Sequence, residues 1–435
     1  MSADRSRLAV HGGVPAVPDG TIQKWPWIEE TDERMVLEAL RGPNQARGEH
    51  SLAFEREFAE WNGNRHAIFT NSGTAALHMG LAGCGVGAGD HVLVTAYTWS
   101  SSATCALHHN AIPVFVDIDF DTINMDIEQI EAALTQRTKA IVAVHLHGLP
   151  LDMDRIMSVA RKHNLKVVED ACQAHGALFK GRKAGTLGDC AAFSFNQNKC
   201  LCTGEGGMFV TDSDEIRDGA AQLWSFGETR MPEQSRDYHA YALGWMYRSN
   251  EITAACGRAQ LRKYPRCFEM LRANAAVVHE RLAGVPGLIR PVEPEGHTHN
   301  WYNYCLRLDM DAVGWDGPPR VLRDAARKAI QAEGVPVSVW QQFILPEMTV
   351  FQARNAYGGG FPWSIPGANE GVDYSPDRFP VAQRHCDTYI SLVQALRAPN
   401  GAKAAAAVAE GILKVFEHMD AVKTDAAKQF EGGSD

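Results

Sequence analysis

Leu165-Lys166-Val167-Val168-Glu169-Asp170-Ala171-Cys172-Gln173-Ala174-His175-Gly176 decides how the rest of the chain is read. A short apolar run, Leu165–Glu169, ends in a carboxylate and a polar turn, the pattern of a buried strand delivering side chains to a site. Similar runs stand at His66–Thr70, His91–Thr95, Ile112–Asp117, Ala140–His145, Cys190–Phe195 and Gly207–Thr211. Between them lie helical patterns such as Thr74–Ala82, Ile127–Leu134 and Met153–His163. This alternation predicts an α/β fold, with a mostly parallel central sheet and helices on both faces. Sites on such sheets form beyond the carboxyl ends of the strands, so the polar residues that follow each run carry the functional reading.

Outside this block the signals change. Asp32–Leu40 and Leu52–Trp61 read as helices, 224–245 as irregular and Asn250–Leu282 as one long helical region. A join rich in glycine and proline, Gly284–Pro294, leads to Asn303–Leu308 and Val335–Val339, both read as strands of a smaller α+β domain. The expected organisation is an N-terminal segment and large domain over 1–285 and a small C-terminal domain over 286–425. Residues 426–435 form a tail, with disorder expected from Gln429 onward.

The 435 residues include 42 basic and 52 acidic side chains, a net charge of −10 that disfavours nucleic-acid and anionic-membrane surfaces. No apolar run approaches the roughly 18 residues that span a bilayer, and the first ten residues lack a secretory core. The ten cysteines show no paired C-x-x-C knuckles, so they read as reduced thiols of a cytoplasmic protein.

Four features fall at strand ends. Ser72-Gly73-Thr74 opens a helix, where backbone N–H groups and hydroxyls suit a phosphate; the same residues also suit a plain N-cap. Thr98-Trp99 places an aromatic where it can stack on a planar ring or simply pack at a rim. Asp170 is a carboxylate at a buried strand end that needs a cationic partner, which a pyridinium nitrogen supplies. A helix cap, or a metal site with His145, His147 and Glu169, is the competing use. Lys199 follows Phe193-Ser194-Phe195-Asn196-Gln197-Asn198 and precedes Thr203-Gly204-Glu205-Gly206-Gly207. Burial there is expected to lower its ammonium pKa and free the amine as a Schiff-base nucleophile. Together the four are the parts that pyridoxal 5′-phosphate requires, with no metal.

On these motifs, with Phe379-Pro380-Val381-Ala382, the chain resembles the DegT/DnrJ/StrS family of pyridoxal-phosphate-dependent sugar aminotransferases from about Gly12 to Phe416. The resemblance implies the aspartate aminotransferase-like (type I) fold. It implies Lys199 as the covalent and proton-carrying lysine, Asp170 at the pyridine nitrogen and Gln173 beside the ring's phenolic oxygen. Ser72, Gly73, Thr74 and Ser194 would hold the phosphate, and Trp99 would stack on the ring. The family's 3-dehydratases carry histidine where this chain has Lys199, so transamination is expected, with dehydration the alternative.

Two departures stand out. Gly244-Trp245-Met246-Tyr247-Arg248-Ser249-Asn250 has Met246 where the family shows the asparagine that reaches a neighbouring subunit's phosphate. Asn250 or Arg248 is the expected substitute, with Arg230 and Tyr247 also at the subunit junction of a homodimer. Val339-Trp340-Gln341-Gln342-Phe343 replaces a His-Tyr-Pro element common in nucleotide-sugar members. The resemblance therefore implies an amino donor, glutamine or glutamate, and a sugar or cyclitol ketone. A scyllo-inosose aminotransferase or 3-amino-5-hydroxybenzoate synthase branch comes into view, with a place in antibiotic biosynthesis. Trp301, Trp340 and Trp363 read as a substrate wall or as core, and His147 as the best further substrate contact.

Overall fold

The computed structural model describes residues 6–229, 238–392 and 394–432. Seven strands form the central sheet: β1 (His66–Thr70), β2 (His91–Thr95), β3 (Ile112–Val116), β4 (Thr138–Val144), β5 (Lys166–Asp170), β6 (Cys190–Ser194) and β7 (Gly207–Thr211). Their order is β1-β7-β6-β5-β4-β2-β3. Pairing is parallel from β6 through β5, β4 and β2 to β3, while β7 runs antiparallel to both β6 and β1. β2, β3 and β6 are buried along their whole length, as both-face coverage demands of such a sheet.

Beyond the long helix Glu251–Arg281, a second sheet of three antiparallel strands is built from Leu288–Ile289, Tyr304–Leu308 and Tyr389–Leu392. Helices Glu30–Arg41 and Glu49–Asn62 pack on the long helix. The N-terminal segment reaches across to the C-terminal helices. Glu333 accepts the amides of Ala9 at 2.7 Å and Ala16 at 2.9 Å while pairing with Lys414 at 2.9 Å.

Two sequence expectations are corrected. Val335–Val339 is no strand: it makes a single bridge, Ser338 to Ser391, because Pro336 brings no N–H to a ladder and interrupts the alternating valines. From Gln429 to Gly432 the chain is helical, as the end of helix Met419–Gly432, which has Val422 and Ala426 buried against the second core. Residues 433–435 lie outside the described residues.

Candidate active site

The four strand-end features converge on one cavity of about 340 Å³, within the usual range for a small-molecule site. β1 hands the chain to an 11-residue helix, Gly73–Gly83. Its cap is Ser72, whose Oγ accepts the Ala75 N–H at 3.1 Å. A Cβ on Gly73 would lie 2.7 Å from Ser194 Cβ and 2.9 Å from Cys172 Sγ, so a side chain there would drive into the cavity wall. Thr74 and Ser194 line the same space, although Thr74 Oγ1 donates to Ser101 Oγ at 2.8 Å.

Asp170 ends β5 and is 6% exposed. Its Oδ2 accepts the Ser102 hydroxyl at 2.6 Å and its Oδ1 accepts the Cys172 N–H at 3.2 Å. Gln173 is held by the His147 N–H, which donates to its Oε1 at 2.7 Å, leaving the Gln173 amide NH₂ for the cavity it lines. Asn300, fully buried, donates to the carbonyls of Gln173 and His175 at 2.9 and 3.1 Å and so fixes this turn.

Lys199 sits in the excursion between β6 and β7. Its N–H donates to Asn196 O at 2.8 Å, and Phe195 N and Gln197 N donate to Gly206 O and Gly204 O at 2.8 and 2.7 Å. Positive φ at Gly204 (+87°) lets the loop fold back this sharply. Phe54, Phe58, Phe69, Phe193 and Phe195 pack in one core with centroids 5.0–6.3 Å apart. Each of these rings contributes about 1.5–3 kcal/mol by burial, which anchors the chain at Phe193 and Phe195, where the excursion begins.

The expected neutral amine is not what burial yields here. Burial lowers the Lys199 ammonium, but Tyr302, the Cys172 thiol and the Asp170 carboxylate outweigh it, and the balance lies above the ordinary lysine value. The ammonium lies 4.7 Å from the centre of the Tyr302 ring. The setting of free Lys199 therefore favours its charged form.

Trp99 is half-exposed at the mouth, with its ring 6.0 Å from Trp340. Of the three candidate wall tryptophans only Trp340 lines the cavity; Trp301 and Trp363 are core. The His147 ring does not line it either, packing against Tyr97 and Trp340 at 5.9 and 5.6 Å. Asn250 is turned to another use within its own chain. Its Oδ1 accepts Thr253 N–H at 3.0 Å as the cap of the long helix, away from the cavity lining. Tyr247 O accepts the Asn71 N–H at 2.8 Å, which brings segment 246–248 beside the Ser72 turn. Arg230 lies outside the described residues.

Two of the side chains of the metal alternative are engaged with each other. His145 Nε2 lies 2.8 Å from Glu169 Oε2, and Glu169 also takes the amides of Gly185, Leu187 and Gly188, so both side chains are spent on the fold. Among the described residues no group of three His, Cys, Asp or Glu is placed to hold a metal ion.

Ser102, Glu205 and Tyr302 belong to the cavity and were not singled out as site residues from the sequence. The serine run after Thr98-Trp99 was a readable sign for Ser102; Tyr302 carried none, being remote in the chain.

A helix start ringed with hydroxyls, a carboxylate ending a central strand and a lysine on the neighbouring loop fit pyridoxal 5′-phosphate in donor chemistry and charge. Fold and site together define a pyridoxal-phosphate-dependent aminotransferase of the type I fold. More narrowly, the chain belongs to the DegT/DnrJ/EryC1/StrS aminotransferase family, whose profile matches residues 26–359. It is 40% identical over 289 residues to GDP-perosamine synthase of Caulobacter vibrioides, covering 62% of this chain and 76% of that protein. It is 34% identical over 354 residues to L-glutamine:2-deoxy-scyllo-inosose aminotransferase of Micromonospora echinospora, covering 76% and 83%. Among solved structures, an aminotransferase from Psychrobacter cryohalolentis superposes with a TM-score of 0.80 at 30% identity, over 92% of this chain and all of that one.

Proposed function

We propose that the protein transfers the amino group of glutamine or glutamate to a ketone of a free sugar or cyclitol, in secondary-metabolite or cell-surface sugar biosynthesis. The observation that carries this reading is the meeting of Lys199 and Asp170 in one cavity with the Ser72-Gly73-Thr74 helix start. Bound there, pyridoxal 5′-phosphate supplies an electron sink for the carbon that bears the nitrogen.

The chain's own residues supply the rest. The helix start and the hydroxyls of Ser72 and Ser194 would receive the phosphate, with Thr74 joining them when its Oγ1 turns from Ser101, while Asp170 would face the pyridine nitrogen. Gln173 would offer its NH₂ to the phenolic oxygen, and Trp99 would cover the ring. Lys199 would be the amine that holds the cofactor and, once free, the group that moves a proton from and to its own Nζ. The acceptor enters past Trp99 and Trp340. Among the described lining residues Lys199 is the one cation, set against Asp170 and Glu205; a free acceptor is supported by Val339-Trp340-Gln341-Gln342-Phe343, which stands where nucleotide-sugar members commonly carry a His-Tyr-Pro element. The reading includes a cytoplasmic homodimer, with residues 246–250 of each copy near its neighbour's phosphate. Leu243 at 77% and Met246 at 51% exposed support that face as a contact.

The test loads the protein with the pyridoxamine form and offers free cyclitol ketones alongside nucleotide-linked ketosugars. Return of the aldehyde-form absorption with free ketones, and transfer of ¹⁵N from labelled glutamine into the product, is the expected result. Turnover confined to nucleotide-linked sugars, or loss of water with no nitrogen gained, overturns the acceptor or the reaction assignment respectively.

A further inference from the structure

Asp170 is held by a chain of hydroxyls that crosses the sheet. Ser102 Oγ donates to Asp170 Oδ2 at 2.6 Å, and Thr98 Oγ1 stands 3.1 Å from Ser102 Oγ. A serine hydroxyl has one proton to give. A carboxylate can only accept, so that proton is spent on Asp170 and Ser102 receives the Thr98 proton in turn. The order Thr98→Ser102→Asp170 is thereby fixed, and the last bond is a short, charge-assisted one. Thr98 is fully buried and Ser102 is 1% exposed, so no bulk water competes for these groups.

The path is set by topology. Thr98 follows β2, Ser102 lies one helical turn on in the short helix Ser101–Leu107, and Asp170 ends β5, with β4 between the two strands. On its other oxygen Asp170 takes the Cys172 N–H at 3.2 Å. Each carboxylate oxygen thus has its own donor, one from each side, which fixes the plane of the group. Rotating Asp170 would break both bonds.

We propose that Ser102, backed by Thr98, is the positioning residue for Asp170, setting the plane and charge of the carboxylate that meets the pyridine nitrogen. The inference rests on the assignment of Asp170 under the proposed function, and its test separates the two.

Apoprotein of the parent chain and of Ser102→Ala, Ser102→Thr, Thr98→Val and Asp170→Ala is titrated with pyridoxal 5′-phosphate. Two quantities are read: the dissociation constant, and the pH midpoint of the bound cofactor's absorption band. Ser102→Ala weakens binding by about tenfold or more, as loss of a hydrogen bond to a charged group does. It also moves the band midpoint. Ser102→Thr, which keeps the donor, restores both readings, and Thr98→Val shows a smaller change in the same direction. If Ser102→Ala does not fold, Ser102→Cys, of similar size and a weak donor, takes its place against Ser102→Thr. Parent-like binding and band midpoint in Ser102→Ala, with Asp170→Ala clearly impaired, overturns the relay and leaves Asp170 in its role. Parent-like behaviour in Asp170→Ala as well overturns the Asp170 assignment itself.

Discussion

The Lys199 ammonium lies 4.7 Å from the centre of the Tyr302 ring, a cation held against an aromatic face at the mouth of its own loop. Tyr302 comes from the strand-edge segment before Tyr304–Leu308, and its carbonyl accepts from Arg397 at 3.2 Å. Schiff-base formation needs the neutral amine, whereas this setting favours the charged one. Capture of pyridoxal 5′-phosphate by the apoprotein is therefore expected to accelerate as pH rises through the alkaline range. Tyr302→Leu removes a stabiliser of the cation, so it should speed capture near neutral pH and move the profile to lower pH. Tyr302→Phe should fall between the two. Stopped-flow absorbance gives the profiles; superimposable curves for parent and Tyr302→Leu would refute the pairing.

Gly73 is expected to tolerate no side chain. An alanine Cβ would sit 2.7 Å from Ser194 Cβ, which real contacts do not allow. The wall must shift by several tenths of an ångström, at a cost of about 1–3 kcal/mol. Gly73→Ala should lose cofactor affinity more than it loses global stability, because the strained atoms line the cavity at the proposed phosphate seat. Equal affinity by titration would show that the turn can relax.

Removal of Glu333 should destabilise the whole chain. It is fully buried with Lys414, and its oxygens also hold the amides of Ala9 and Ala16. Glu333→Ala leaves the amides of Ala9 and Ala16 unpartnered and a buried ammonium with only the Val14 carbonyl, 2.7 Å away, and no counter-charge, a loss of roughly 3–5 kcal/mol in urea unfolding. Lys414→Met should cost less, since the amides still satisfy part of the carboxylate. The reverse ranking would place the strength elsewhere.

Acid should weaken the fold through neutral imidazoles. Burial first, with His109 and His108 adding, lowers His78 to about 2; burial lowers His147 and His175 to about 3. Unfolded, each protonates near 6.5, so below that pH the unfolded chain binds protons that the folded chain refuses. Stability is then full above about pH 6.5 and falls as pH drops towards 3, by up to about 1.4 kcal/mol per group per pH unit. Urea midpoints measured from about pH 7 down to about pH 5 should decline steadily. A flat series would contradict the three burials.

The strands that deliver the site were legible because each is a compact apolar run whose turn residues follow at once. Lys166–Asp170 and Cys190–Ser194 appear within one residue of their expected limits. Lys199, Asp170, Ser72, Gly73, Thr74, Gln173, Ser194 and Trp99 were legible as cavity residues for the same reason: each ends a strand or stands in the turn that follows one. Val335–Val339 was misread because alternating valines imitate a strand while Pro336 denies it a ladder. Asn250 was carried to the phosphate by its place in a motif, yet within its own chain it caps a helix.

What the amino-acid order alone determined was local: periodicity set the elements, and the chemistry of single side chains marked an amine, a carboxylate and a phosphate seat. The tertiary structure decided which distant residues face them. Ser102 reaches Asp170, Tyr302 reaches Lys199 and Glu333 reaches Ala9 only because strand order and the second sheet bring them together. The sign of the Lys199 shift followed from those meetings. The charge of a buried group depends on the summed field of its neighbours, which no local reading of the chain contains.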